Sequence, residues 1–295
     1  MTSEEFLAAC KLKNDKGFSD VETFIKNKGK FKIIKDPKGA SPLHLAVRER
    51  NIKIVQLLID NGMNPLIKDK TQLEKTPVAD AIIKGYVDVV MILLNSKFIK
   101  PLKTKKRFNE FSALGNSSLS LDDYKSILQK LLDVGLDAEE LDNKDETILL
   151  KAIKDNDINR LNVCLDLGLD INNSNRLPLK YALFRKPGDN AENNDIIKFL
   201  LSKNAKIVIN SENSWSTFNA LHTAHIRDNI EIFAFLIEEF NALDTLDDET
   251  LDDIINHKEI EFLKYLWKIP RVHDFILKNN LEKAFPDTVR NVFIF

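Results

Sequence analysis

The sequence has two cysteines in 295 residues, nine glycines and nine prolines, and each scarcity removes a class of protein. Cys10 and Cys164 stand far apart inside apolar helical patterns, without the CxxC or Cys/His spacing of a disulfide framework or a zinc site. They fit a reducing compartment. So few glycines and prolines argue against a sheet protein rich in tight turns. The formal net charge of −2 sets up no global field toward nucleic acid or an acidic membrane. No apolar stretch approaches the roughly 18 residues of a membrane span. The start, MTSEEFLAACKLKND, is acidic where a signal peptide is basic, so the expected location is the cytoplasm. Glycine-rich phosphate loops and H-E-x-x-H are also missing.

What is present is a large stock of helix-forming sequence. Apolar residues make up 43% of the chain and charged residues 30%, enough to bury a sizeable core and too apolar for disorder. The segment SPLHLAVRERNIKIVQLLIDNG, Ser41 to Gly62, holds a complete unit. Ser41 caps a helix that starts at Pro42, and Leu43, Ala46 and Val47 share one face of it. After a break near Asn51, a second helix presents Ile52, Val55 and Ile59, with Ile54, Leu57 and Leu58 widening the stripe. Gly62 supplies a left-handed stop. Both helices are too short to stand alone, so the unit must be buried between copies of itself.

Copies are there. The position of Pro42 recurs at Pro77, Ile148, Pro178, Ala220 and Leu251. Four residues on, Ala46 recurs as Ala81, Ala152, Ala182 and Ala224, with Ile255 in the last copy. A degenerate copy must lie between Pro77 and Ile148, its second helix visible as LDDYKSILQKLLDVG, and another must precede Pro42, around EEFLAACKLKND and VETFIKNKG. These units resemble ankyrin repeats, whose hallmark is T-P-L-H-x-A followed by I-V-x-L-L-x-x-G-A. The likeness is carried by SPLHLA with IVQLLIDNG, TPVADA with VVMILLN, LPLKYA with IIKFLLSKNA, and NALHTA with EIFAFLI. TILLKA with RLNVCLDLG and TLDDII with FLKYLW are weaker. The resemblance implies an all-α solenoid of helical hairpins. Residues 1–267 would form about seven or eight units, with the one around 97–136 degenerate and carrying a basic insertion. Residues 268–295 would form a C-terminal capping helix and tail, and the final VRNVFIF reads either as part of that cap or as an export signal.

Departures from the pattern mark further features. RKPGDNAENND reads as a loop between paired helices, Ser96 to Ser120 as a long connection, and Asn204 as a substitute for the stop glycine. Lys97, Lys100, Lys103, Lys105, Lys106 and Arg107 form a basic block, whereas Asn241 to Glu261 holds eight carboxylates against Lys258 alone. Two patches of opposite sign suit a protein partner better than a polyanion.

Candidate chemistry is sparse. His44 and His222 occupy the hallmark histidine position, which the resemblance makes structural, and His225 finds no carboxylate or cysteine nearby in sequence to complete a metal set. Asp247, Asp248, Asp252 and Asp253 fall at a turn and a helix start, where carboxylates complement the helix dipole. No catalytic residue, metal site or cofactor is therefore assigned. The expected work is recognition of one specific protein, whose activity the array modulates or inhibits. A scaffold bridging two proteins, or an enzyme with a site between the solenoid and its long loops, is the alternative. No small-molecule substrate is expected, and nucleic acid is disfavoured because the basic block does not continue along the repeats. In a stack of this type the turn tips and the exposed side of each first helix form the binding strip. Register places Arg48, Glu49, Lys84, Lys154, Arg185 and Arg227 on helices and Arg176 and Phe218 at tips. Trp215, in a polar turn, is the expected anchor, and Lys105 and Lys106 are the expected steering charges. Degenerate Lys-, Asn- and Ile-rich arrays of this kind resemble bacterial effectors or their regulators, which would place the chain in a bacterial or host cytosol.

Overall fold

Ser41 accepts the backbone N–H of His44 on its hydroxyl, and Pro42 takes the first helical position, where an N–H would have no partner. The helix so started, α3 (Pro42–Arg48), is seven residues long. Arg50, at φ 49°, then reverses the chain into α4 (Ile52–Asp60), which Asn51 caps. The same device follows Thr76, with α5 (Pro77–Ile83), Gly85 at φ 68° and α6 (Val87–Leu94). It follows Thr147, with α9 (Ile148–Lys154), Asn156 at φ 56° and α10 (Ile158–Asp166). And it follows Asn219, with α13 (Ala220–Ile226), Asp228 at φ 51° and α14 (Ile230–Phe240). In each, the left-handed residue is the ninth after the cap, so the hairpin reversal is a fixed element of the repeat.

The computed structural model describes residues 1–27, 30–71, 73–99, 110–142, 144–173, 177–184, 193–209, 218–245, 267–268 and 270–278. Its packing divides the chain into two units, Met1–Asp155 with Asn159–Leu169, and Asn156–Ile158 with Asp170–Phe295. In the first unit α1 (Ser3–Ala9) pairs with α2 (Asp15–Lys26), α3 with α4, α5 with α6, and α7 (Glu110–Gly115) with α8 (Leu121–Asp133). The first helices α3, α5, α7 and α9 pack side by side as an inner layer, and α2, α4, α6 and α8 do so as an outer one. In the second unit α11 (Pro178–Phe184) packs on α13, α12 (Asn193–Ser202) on α14, and α15 (Pro270–Lys278) on α14. A two-residue antiparallel pair, β1 (Val208–Ile209) with β2 (Phe218–Asn219), precedes α13. The fold is the all-α helical-hairpin solenoid expected from the repeat.

The core lies between hairpins. Leu43, Ala46 and Val47 of α3 and Val78 and Ala81 of α5 are fully buried. In α4 the buried stripe is Ile54, Val55, Leu58 and Ile59, whereas Ile52, expected in it, is the first helical residue and is 41% exposed. Ser96 to Ser120 is more than a connection, since it contains the inner helix α7. The final Asn-Asn-Asp of the expected loop after α11 belongs to α12. Asn204 does take a left-handed stop, at φ 66°. The copy around Leu251, the acidic pairs at 247–253 and the final VRNVFIF lie outside the described residues.

Ala81 meets neighbouring helices with no exposed surface. Ala81→Leu is expected to overpack the inner layer and lower unfolding free energy by about 1–3 kcal/mol, measured by urea denaturation.

Candidate functional site

The turns before α3, α5 and α9, here termed fingers, are each shaped from inside by a carboxylate. Asp36 accepts the N–H groups of Lys38 and Ala40 on one oxygen, at 2.9 and 2.8 Å. Asp69 accepts the N–H groups of Thr71 and Lys75, both at 3.1 Å, and the Thr71 hydroxyl at 2.6 Å. Asp142 accepts Lys144 and Glu146, at 2.7 and 3.0 Å. The three also share a backbone bond, from their own N–H to the carbonyl of Ala40, Lys75 and Glu146 respectively. Sequence reasoning missed these residues. The signal was an aspartate six to eight positions before each helix start, hidden by the unequal spacing.

The second oxygen ties the finger to the preceding repeat. Arg48, at the end of α3, donates to Asp69 at 2.9 Å and to Asp80 of α5 at 2.6 Å. Ser112 of α7 donates to Asp142 at 3.1 Å. His44 completes the second rung. Its Nδ1 accepts the Ser41 N–H at 3.1 Å, which leaves the proton on Nε2 to be donated to the Lys75 carbonyl at 2.9 Å. The histidine hallmark is thus a structural link between adjacent repeats. Burial, the dominant influence, lowers the His44 pKa below its ordinary value. Burial of Asp69 acts to raise its pKa, but the Thr71 hydroxyl and amide and the Arg48 guanidinium outweigh it, and the net shift is downward.

The expected binding residues separate into four groups. Glu49 and Lys84 are exposed at the ends of α3 and α5, and Arg227 is half-buried after α13. Arg48 and Lys154 reach the same face but are already engaged, Arg48 by two aspartates and Lys154 by Glu146. Phe218 is a correction: it lies in β2 at 3% exposure, and so is buried and not at an outward tip. Trp215, Arg176, Arg185, Lys105 and Lys106 lie outside the described residues. Arg48 and Glu49 do come together, around a cavity of about 390 Å³ shared with Lys11, Asp36, Lys38 and Leu45. His225 is buried against Phe233, their rings 6.4 Å apart, and His222 is half-buried. Cys10 and Cys164 are both fully buried, and burial raises the Cys10 pKa to about 12, far from a reactive thiolate.

Three further residues belong to this face. Ile83, Phe184 and Ile226 end α5, α11 and α13 with 43%, 44% and 51% of their surface exposed. All occupy the register position of Arg48 and Lys154. In the sequence only charged residues stand out at this register position, and these three do not.

Comparison with known proteins agrees with this geometry. The family model described as ankyrin repeats, three copies, matches residues 6–104 and 118–213. The gap between the matches covers α7, the shortest inner helix. No curated protein matches the chain. Among solved structures, the ankyrin repeat domain of Bcl-3, a member of the IkappaB protein family, is 21% identical. The match covers 68% of this chain and 86% of that one, with a TM-score of 0.53. At that identity the likeness concerns the fold alone.

Arg48→Ala leaves Asp69 and Asp80 without their shared cation, and is expected to destabilise the chain by about 2 kcal/mol or more in chemical denaturation. His44 carries a pH signature of fixed sign. With its folded pKa below the unfolded value near 6.5, the unfolded chain binds the proton more readily. The stability associated with neutral His44 is present above that pH and lost as pH falls through the folded pKa. Thermal melts between pH 7 and 5.5 are expected to show a smaller drop for His44→Gln than for the native chain.

Proposed function

The chain belongs to the ankyrin-repeat family, a family of protein-interaction modules, and from that premise we propose that it binds one specific protein and acts by covering a surface of it. The observation that carries this reading is the row of outward residues at one register position of the inner helices. Ile83 in the first unit, and Phe184 and Ile226 in the second, hold large apolar surface in water. Burial against a partner would recover it, at about 25 cal/mol per Å² of apolar area. Inhibition, by blocking the partner's working surface, is the form of action that a chain built mostly of repeats suits best, and the role proposed is a non-enzymatic one. We read residues 1–267 as the array and 268–295 as its C-terminal cap, a reading that the packing of α15 on α14 supports. No helix among the described residues is long and apolar enough to cross a membrane. A cytoplasmic setting, in a bacterium or in a host cell that receives the chain as an effector or effector regulator, completes the proposal.

Purified chain incubated with cell extract is expected to retain one stoichiometric protein. Ile83→Asp combined with Ile226→Asp should abolish that retention while leaving the melting temperature within a few degrees of native. Retention unchanged in the folded double variant would overturn the assignment of this face.

A further inference from the structure

We infer that the first two fingers form a docking surface for an extended, acidic segment of a protein partner, with Lys35, Lys38 and Lys70 as its receiving cations. The inference rests on the binding role proposed above and adds the chemistry of what is bound.

Its basis is a sorting of charge by sign. The aspartates of these fingers face inward: Asp36 is bonded to the amides of its own turn, and Asp69, with no exposed side-chain surface, is closed off by Thr71, Lys75 and Arg48. Arg48, the cation between them, is neutralised by Asp69 and Asp80. The lysines face outward. Lys35, Lys38 and Lys70 are exposed, and none of the three pairs with a carboxylate among the described residues. The turns therefore commit both aspartates to their own backbone and present these lysines as surface. Three carboxylates remain near this face: Glu74, half-buried in the second finger, Glu49 beside Lys38 at the cavity, and the free edge of Asp36, which also reaches it.

The lysines are also placed. The Lys70 N–H donates to the Lys38 carbonyl at 3.0 Å, which sets the two fingers edge to edge, and the Lys35 ammonium reaches the Lys68 carbonyl at 3.4 Å. Gly39, at φ 74°, is what admits Lys70: a Cβ there would meet Lys70 Cγ at 2.4 Å. The Lys70 stem lies against the first finger at Gly39. Two exposed apolar tips flank the lysines in sequence, Ile33 at 73% exposure and Leu73 at 37%. Free phosphate or a nucleic-acid backbone has no use for such tips, whereas a peptide alternating carboxylates with apolar side chains matches both. Adjacent packed helices stand about 8–10 Å apart, and an extended chain advances about 3.3 Å per residue, so one carboxylate every third residue keeps step with the repeats.

The test uses the whole chain and a dye-labelled synthetic peptide with glutamate at every third position and valine and threonine between, followed by fluorescence anisotropy. Binding is expected to weaken as salt rises, to vanish when glutamine replaces glutamate in the peptide, and to fall about tenfold or more in the Lys38→Glu, Lys70→Glu chain. The neutral pair Lys38→Gln, Lys70→Gln should show a smaller loss, with melting temperature unchanged in both. Inorganic polyphosphate displacing the peptide at equal charge concentration would overturn the inference in favour of a general polyanion surface. Absence of peptide binding, in a chain whose partner retention still depends on Ile83 and Ile226, would overturn the acidic segment while leaving the binding role intact.

Discussion

A helix of seven residues in water does not hold itself together, because nucleation takes several fixed residues before the first hydrogen bond repays them. Among the described residues, the inner helices are all of that length or one residue shorter. Every other feature answers to this constraint. Caps at Ser41, Thr76, Thr147 and Asn219 satisfy amides at the helix starts, left-handed residues nine positions later fold the second helix against the first, and alanines at 46 and 81 let the next hairpin approach. Stability comes from neighbours, so the repeat has meaning only in the plural.

Neighbours are joined by more than apolar contact. Asp69 holds its own finger with one oxygen and the previous repeat's Arg48 with the other, and His44 reaches the next finger's backbone through Nε2. A fully buried carboxylate is tolerated here because each oxygen has donors, one of them a guanidinium. The rung varies along the stack: Ser112 replaces Arg48 opposite Asp142. That variation sets local differences in charge without changing the frame, which leaves the outer positions of fingers and inner helices available for recognition.

The sequence pattern revealed the hairpins because helix propensity, caps and stop residues act locally, within a few positions of one another. Pro42, Ala46, Gly62 and Asn204 could be assigned their roles from the letters alone. α7 was hidden because no proline opens it, and its packing between α5 and α9 identifies it. The proposed recognition face was legible in register but only for one residue type. Glu49 and Lys84 were singled out because they are charged, whereas Ile83, Phe184 and Ile226 at the neighbouring register position were not singled out at all. Phe218, expected at an exposed tip, instead lies buried in the short β pair. Arg48 shows the remaining limit: a cation at an outward position can be claimed by partners 21 and 32 residues away, and no local pattern announces that.

The central claim is that the outer helices build the stack while the fingers and inner helices meet the partner. Hydrogen–deuterium exchange on the chain with and without its co-purified protein tests it directly. The account predicts added protection in peptides covering residues 33–49 and 68–84, with those covering α4 and α6 unchanged. Protection confined to α4 and α6 would contradict it.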